Sequence, residues 1–338
     1  MSALARPNGS RTAVVLFQLG GPDSLEAVEP FLFNLFSDPD IIDFPFARLA
    51  REPLARLMAR HRAGKVREHY GEIGGRSPIV ELTEKQAAAL EAELAPVLPA
   101  RVLVAMRYWR PLTEEAAAAV RRGDFEQMVL LPLYPQYSRV TTGSSLKEWN
   151  RRFGASANHL SVTLIDRFYE HPLYLDALVE NINRALDRFP AGSHIHLLFS
   201  AHGIPESVIQ GGDPYRRETE ETVRLVRERG GWPLPATLCY QSKVGPGSWL
   251  GPMLQETLQA LRAGGAAHVL VVPISFVTEH IETLYEIDIE ARELAARLGY
   301  KQFEMMPALN DSPLFIRTLA DLVLRAVAAP VESTSNLS

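Results

Sequence analysis

Three short segments carry the side chains whose types and spacing could do chemistry. In FSAHGIPESV a histidine, His202, follows directly on an apolar run. CYQSKVGPGSWLGP brings Lys243 and Trp249. PISFVTEHIETLYEIDIE gathers Glu279, His280, Glu282, Glu286 and Glu290. An imidazole can take or deliver a proton near neutral pH, because its reference pKa is about 6.5. Glu282, Glu286 and Glu290 are four apart, and none has a Lys or Arg four residues further on. They share one helical stripe, where like charges cost a few tenths of a kcal/mol per pair. A row of carboxylates aimed at a pocket suits hydrated cations moving inward or protons moving outward. The plainer readings are a strand-end histidine that only bonds backbone, and an acidic helix face turned to solvent. His280 and Glu282 are two apart and diverge by about 200° on a regular helix. Both reach one site only if the helix starts late or is locally widened, a feature common at functional sites.

Several chemistries are poorly supported. The chain has no G-x-G-x-x-G after its first strand, no G-x-x-x-x-G-K-S/T, no H-E-x-x-H and no G-x-S-x-G, so nucleotide, zinc-protease and serine-hydrolase readings start weak. The turn LGGPD after the first strand has glycines but then proline. The single cysteine, Cys239, excludes an intrachain disulfide, a thiolate zinc site and a four-cysteine iron–sulfur cluster. A net charge of −5, with 46% hydrophobic and 22% charged residues, is that of a soluble globular protein and argues against nucleic acid as a partner. Without an apolar leader, or a run of about 18 apolar residues, the chain is expected in the cytoplasm.

The reactive segments need a scaffold. TAVVLFQ (12–18), RVLVAMR (101–107), MVLLPL (128–133), LSVTLI (160–165), HIHLLFS (194–200), TLCYQS (237–242) and HVLVVPIS (268–275) read as strands buried on both faces. Amphipathic stretches between them, opened by Ser, Thr, Asp or Pro and several closed by Gly, read as helices. This alternation predicts an α/β protein with parallel sheets. The strands fit one sheet or two, with a crossing point near 153–159. A last helix over 312–327 is placed to pack back on the first half. Between the first helix and Thr83 some 40 residues show no strand. There Phe44, Phe46, Leu49, Leu54, Leu57 and Met58 give an apolar side, and Arg48, Arg51, Arg56, Arg60, Arg62 and Arg67 a basic one. The alternatives are a helical hairpin over a sheet edge, or an apolar lip over a pocket whose arginines meet anionic groups or lipid headgroups. Peripheral membrane contact through residues 41–62 follows from the second.

The chain resembles the ferrochelatases, enzymes that insert ferrous iron into a porphyrin. The resemblance lies in LFQLGGPDSLEAVEPFL (16–32), IGGRSPI (73–79), MRYWRPLTEEA (106–116), LPLYPQYSRVTTGSSL (131–146), SAHGIPESV (200–208) with GDPY (212–215), YQSKVGPGSWLGP (240–252) and PISFVTEHIETLYEIDIE (273–290). Seven segments in the family's order, spread over nearly the whole chain, make it specific. H-I-E-T-L-Y-E most resembles the proteobacterial and mitochondrial type, which uses protoporphyrin IX.

The resemblance implies two Rossmann-like halves with a porphyrin cleft between them. The N-terminal half would hold residues 12–160 and 311–330 with a lip over 38–80; the C-terminal half, 161–310, would carry the metal and proton residues. It implies that His202 and Glu282 face each other as proton acceptor and transient metal ligands, with His280 beside them. Glu286, Glu290 and Glu279 would form an acidic path. Tyr108, Trp249 and Phe276 would line the pocket, with Arg107 deeper. Arg62, Lys65, Tyr70 and Ser77 would serve the lip and propionate side, and Leu19 the turn after the first strand. Fe²⁺ and protoporphyrin IX would be substrates, with no permanent cofactor. Arg139 stands where the animal enzymes have a cluster cysteine, so no 2Fe–2S cluster is expected. The alternatives are a cobalt chelatase of the same fold acting on sirohydrochlorin, and a porphyrin or heme carrier without turnover.

Overall fold

The computed structural model describes residues 12–39, 47–154, 160–243 and 247–328, with backbone alone at 47–50. The chain runs through β1 (Thr12–Gln18), α1 (Val28–Phe36), α2 (Ala47–Glu72), α3 (Ile79–Leu94), β2 (Ala100–Met106), α4 (Thr113–Arg122), β3 (Gln127–Pro132), a π-turn at Arg139–Gly143, α5 (Ser144–Phe153) and β4 (Ser161–Leu164). It continues through α6 (Pro172–Leu186), β5 (Ile195–His202), α7 (Glu206–Gln210), α8 (Tyr215–Gly230), β6 (Ala236–Gln241), α9 (Leu254–Ala263) and β7 (His268–Pro273). A π-helix (Glu282–Ala291), α10 (Arg292–Leu298), β8 (Gln302–Met305) and α11 (Pro313–Ala328) complete it.

The strands make two four-stranded parallel sheets in the orders β2-β1-β3-β4 and β6-β5-β7-β8. The second order repeats the first, so the fold is α/β with two Rossmann-like halves. All seven residues of β1 are buried, as an inner strand covered on both faces requires. Its side chains alternate. Ala13, Val15 and Phe17 face an outer layer where Trp149 of α5 meets Phe17 edge-on and stacks on Phe153. Val14 and Leu16 face an inner layer shared with Leu197, Phe199, Leu270 and Val272 of the second sheet and with Leu90, Leu178 and Leu319 of α3, α6 and α11. Burying each such side chain contributes about 1.5–3 kcal/mol, so one apolar layer joins the halves.

Three expectations change. β4 pairs with β3, so the first sheet runs to Leu164 and the boundary drawn between 160 and 161 falls too early. A half-buried edge strand so close to the crossing point is bounded by pairing, which composition near 153–159 does not reveal. β8 went unread, because QFEM is short and alternates polar with apolar. Among its described residues the strandless stretch contains one long helix, α2, rather than a hairpin. Its buried Ala55, Ala59 and Ala63, four apart, allow close approach to α1. α11 packs on α3 and on the β3–β4 side of the first sheet, and it also packs on α6. Among the described residues no helix is long and apolar enough to cross a membrane.

Candidate active site

In open α/β sheets, ligands bind beyond the carboxyl ends of strands where the strand order reverses. In the second sheet that point lies between β5 and β7. His202 is the last residue of β5, and Ser275 and Phe276 follow β7. The His202 backbone is fixed on both sides: its N–H donates to Ser275 Oγ (2.9 Å), and its carbonyl accepts from the buried Tyr215 hydroxyl (2.9 Å). Gly203 comes next because β6 runs so close. A Cβ there would sit 2.9 Å from the Gln241 carbonyl oxygen, tighter than packing tolerates.

The π-helix starts at Glu282, so His280 lies before it and Glu282 in its first turn. A late start and a widened winding are both present, and they bring the two side chains together. Glu282 Oε2 lies 2.7 Å from His202 Nδ1, and Oε1 lies 3.9 Å from His280 Nε2. His280 Nδ1 donates to the Thr278 carbonyl (3.0 Å), which leaves its Nε2 facing Glu282. With Nδ1–H on Glu282, His202 keeps Nε2 for a ligand. Its side chain is 32% exposed and that of Glu282 14%, so the pair is reachable. Phe276 stands between the two imidazoles, with ring centres 6.3 Å from His202 and 4.6 Å from His280. Trp249 lies over Gly203 and bridges to Pro205.

The end of β6 holds the carboxylates. Gln241, opposite His202 in the sheet, donates Nε2–H to the Glu282 carbonyl (3.0 Å). The Ser242 hydroxyl lies 2.8 Å from Glu282 Oε2 and 2.6 Å from Glu286 Oε2. Ser242 does so at φ +64°, a region costly for residues other than glycine and found mostly where function demands it. Burial disfavours imidazolium, but Glu282, with Glu286 behind it, outweighs burial and raises the His202 pKa above its ordinary 6.5. Burial also opposes ionisation of Glu282, yet His202, then His280 and Ser242, draw its pKa down. Glu286 moves the other way, pushed up by burial and by the Glu282 charge. Neighbouring carboxylates are thus driven to opposite states, the arrangement expected of a proton path. Glu290 lies exposed at the outer end of the stripe.

Glu279 does not belong to that stripe. Its Oε1 accepts from the Ala308 N–H (2.8 Å), its Oε2 accepts from the Thr283 hydroxyl, and its own N–H donates to Asn310. It braces the helix start, which spacing alone could not distinguish from a path position. Among the described residues no three His, Cys, Asp or Glu side chains form a ready metal cage. An imidazole–carboxylate pair is the weaker, exchangeable ligand set suited to passing a ferrous ion on.

The first half brings the lip. Tyr70 of α2 is buried beside Ser77, and burial followed by the nearby Glu282 charge raises its phenol pKa. Ser77 packs against the turn after β1, where a Cβ on Gly21 would meet its side chain at 2.6 Å. Leu19 and Tyr70 join one apolar cluster with Ile281, the residue before Glu282. His69 stacks on Tyr285 of the π-helix at 3.9 Å, a second tie between lip and site. Arg62 and Lys65 are exposed on α2, with the Arg62 guanidinium 5.8 Å from the centre of the Phe36 ring. Tyr108, expected to line the pocket, is 1% exposed and donates its hydroxyl to Asp38 (2.6 Å). Arg107 is held beside it, 15% exposed. Gln241, Ser242, Ser275, Tyr215 and Asp38 were not singled out from sequence. The strand-end register opposite His202 is the one cue that could have pointed to Gln241 and Ser242. Lys243 is exposed, and residues 244–246 lie outside the described part.

This architecture has counterparts among chelatases. SirB from Bacillus subtilis, solved with Fe³⁺, superposes with a TM-score of 0.58 at 12% identity, covering 98% of this chain and 100% of that one. DR2241 from Deinococcus radiodurans, described as structurally similar to chelatases, gives 0.54 at 16% identity, covering 95% of this chain and 56% of that one. The fold is therefore that of the chelatases. The ferrochelatase family model matches residues 11–327. Ferrochelatase of Geobacter metallireducens is 52% identical over 317 residues, 94% of this chain and 98% of that protein. Those of Geotalea uraniireducens and Aquifex aeolicus are 51% and 46% identical, each over 94% of this chain and 99% and 100% of theirs. The chain belongs to the ferrochelatase family.

Proposed function

We propose that this protein is a protoporphyrin ferrochelatase, inserting Fe²⁺ into protoporphyrin IX as the last step of heme formation. The supporting observation is the His202–Glu282 pair, 2.7 Å apart at the carboxyl edge of the second sheet, with no hydrogen bond to His202 Nε2 among the described residues. Insertion exchanges two pyrrole N–H protons for four iron–nitrogen bonds, and it requires the macrocycle to bend so that nitrogen lone pairs meet the metal. Neutral His202 can accept a pyrrole proton at Nε2 while its Nδ1–H stays on Glu282. The Glu282 charge stabilises the imidazolium that forms. Protons then have a route outward past Ser242 and Glu286 to Glu290, and hydrated Fe²⁺ can use the same oxygens inward. Phe276 and Trp249 supply apolar walls that favour the bent ring over the flat one, which is differential binding of the transition state.

Tyr70 and Ser77 at the lip, with exposed Arg62 and Lys65, suit the anionic propionates. Iron and porphyrin are substrates, and the chain carries no 2Fe–2S cluster of its own: its one cysteine, Cys239, is buried in β6 and Arg139 occupies the loop position. The proposal extends to a cytoplasmic location with peripheral membrane contact through 41–62. Residues 41–46 lie outside the described part, but Leu57 is 65% exposed among exposed Arg56, Arg60 and Arg62. Flotation with anionic liposomes tests that contact. Anaerobic incubation with Fe²⁺ and protoporphyrin IX, coproporphyrin III or sirohydrochlorin, followed by absorbance, tests the function. Heme formation from protoporphyrin is expected; turnover of sirohydrochlorin alone, or no metal-dependent change with any ring, would refute it.

A further inference from the structure

The segments PQYSR (135–139) and GDPY (212–215) carry none of the chemistry proposed for the cleft, yet they meet where the two halves join. The first follows β3 in the first half, and the second leads into α8 in the second half. Asp213 Oδ2 accepts from the Ser138 hydroxyl (3.0 Å) and from the Arg139 N–H (2.8 Å). Glu218 of α8 is fully buried; its Oε2 accepts from the Tyr137 N–H (2.8 Å) and its Oε1 from the Arg167 guanidinium. Gln136, also buried, donates Nε2–H to the Thr222 hydroxyl (3.0 Å) and to the Ile274 carbonyl (3.3 Å). Consecutive residues 136–139 of the first half are thus all bonded to the second. The apolar layer shared by the sheets is non-directional and sets no register by itself. Hydrogen bonds to carboxylates are directional and strong, and they do.

Both backbone anchors of His202 lie one step from this clasp. Asp213 Oδ1 accepts from the Tyr215 N–H (3.0 Å), and the Tyr215 hydroxyl donates to the His202 carbonyl (2.9 Å). The Ile274 carbonyl gripped by Gln136 also accepts from the Tyr174 hydroxyl (3.2 Å), and the next residue, Ser275, accepts the His202 N–H (2.9 Å). A shift of the loop would reach the strand-end histidine through either arm and change its place relative to Glu282 and the first-half lip. Misplacing a reacting group by about 1 Å can cost about 10²-fold in rate. Resting on the reading of this cleft as a metal-insertion site, we propose that Asp213 is a positioning residue that ties the first-half loop to Tyr215 and through Tyr215 fixes His202 in the cleft.

The test compares wild type, D213A, Y215F and the double variant D213A/Y215F. Insertion of Fe²⁺ or Zn²⁺ into protoporphyrin is measured at varied metal and varied porphyrin, with thermal unfolding alongside. D213A and Y215F are each expected to lower kcat about tenfold while both KM values stay within about twofold of wild type, because binding survives and only the placement of the reacting group is lost. If Asp213 acts through Tyr215 the effects do not multiply, so the double variant is expected within about threefold of Y215F. An unchanged kcat in D213A, a rise in KM that matches the loss of rate, or a double variant about a hundredfold below wild type overturns the proposal. Should D213A fail to fold, Ser138→Ala decides in its place: it removes one first-half donor, leaves the carboxylate and is expected to lower kcat about threefold at unchanged KM, and wild-type kcat there overturns the proposal. Wild type that inserts metal into no tetrapyrrole removes the functional reading itself, a separate outcome.

Discussion

His202 and Glu282 are 80 residues apart in sequence, yet Nδ1 of one lies 2.7 Å from Oε2 of the other. The first ends a strand and the second begins a π-helix, and β6 between them fixes both through Gln241. The chemistry proposed for the cleft depends on this pairing.

Replacing His202 with Ala removes the proton acceptor without opening the core. The rate of insertion should fall by about 10²–10⁴, the usual worth of a positioned acid–base group. Porphyrin binding, followed by fluorescence, should stay close to wild type. A variant that turns over at near-normal rate would show that the acceptor lies elsewhere.

The acid limb of the pH–rate profile should follow His202. Its pKa is raised, so activity should grow as pH climbs through a value above 6.5, where the ring becomes neutral. In Glu282→Gln the partner that raises it is gone, and whatever limb remains should move to lower pH. The same pair affects stability. His202, with its folded pKa raised, stabilises fully below its ordinary value and loses that contribution as pH rises through the folded one. Glu282, with its pKa lowered, stabilises above its ordinary value of 4.5 and loses that contribution as pH falls through the folded one. Thermal unfolding of Glu282→Gln against pH should therefore differ most from wild type between these limits.

Gly203→Ala would drive a methyl group into the Gln241 carbonyl. Overpacking of that kind costs roughly 1–3 kcal/mol. Because Gln241 also holds Glu282, activity should fall together with the unfolding temperature. Calorimetry and rate measurements on the same preparation would check this, and an unchanged unfolding temperature would contradict it.

Ser242→Gly separates backbone from side chain. Glycine suits φ +64° better than serine does, so stability should be equal or higher. The hydroxyl joining Glu282 to Glu286 is lost, and metal insertion should slow by about tenfold, the scale of one hydrogen bond to a charged group. Wild-type kinetics in this variant would mean that the carboxylates hold their places unaided.

Much of the scaffold could be read from one dimension. TAVVLFQ, HIHLLFS and HVLVVPIS are apolar enough to be inner parallel strands in any arrangement, and the His280–Glu282 spacing sets the condition that both reach one site only from a late or widened helix start. Glu279 and Tyr108 show what spacing and resemblance leave out. A residue type says what a side chain can do, and only its neighbours say whether it is occupied. Ala308 and Thr283 occupy Glu279, and Asp38 occupies Tyr108.

Periodicity and local motifs are properties of neighbours along the chain, so they already carry the α/β class, the family resemblance and the side chains able to do the chemistry. Which carboxylate meets which imidazole, which serine bridges two glutamates and which aspartate pairs with Arg107 are settled only by the packed fold. Those outcomes depend on strand order and on the register at which β5, β6 and β7 end, and such long-range pairings are fixed only when the sheets pack.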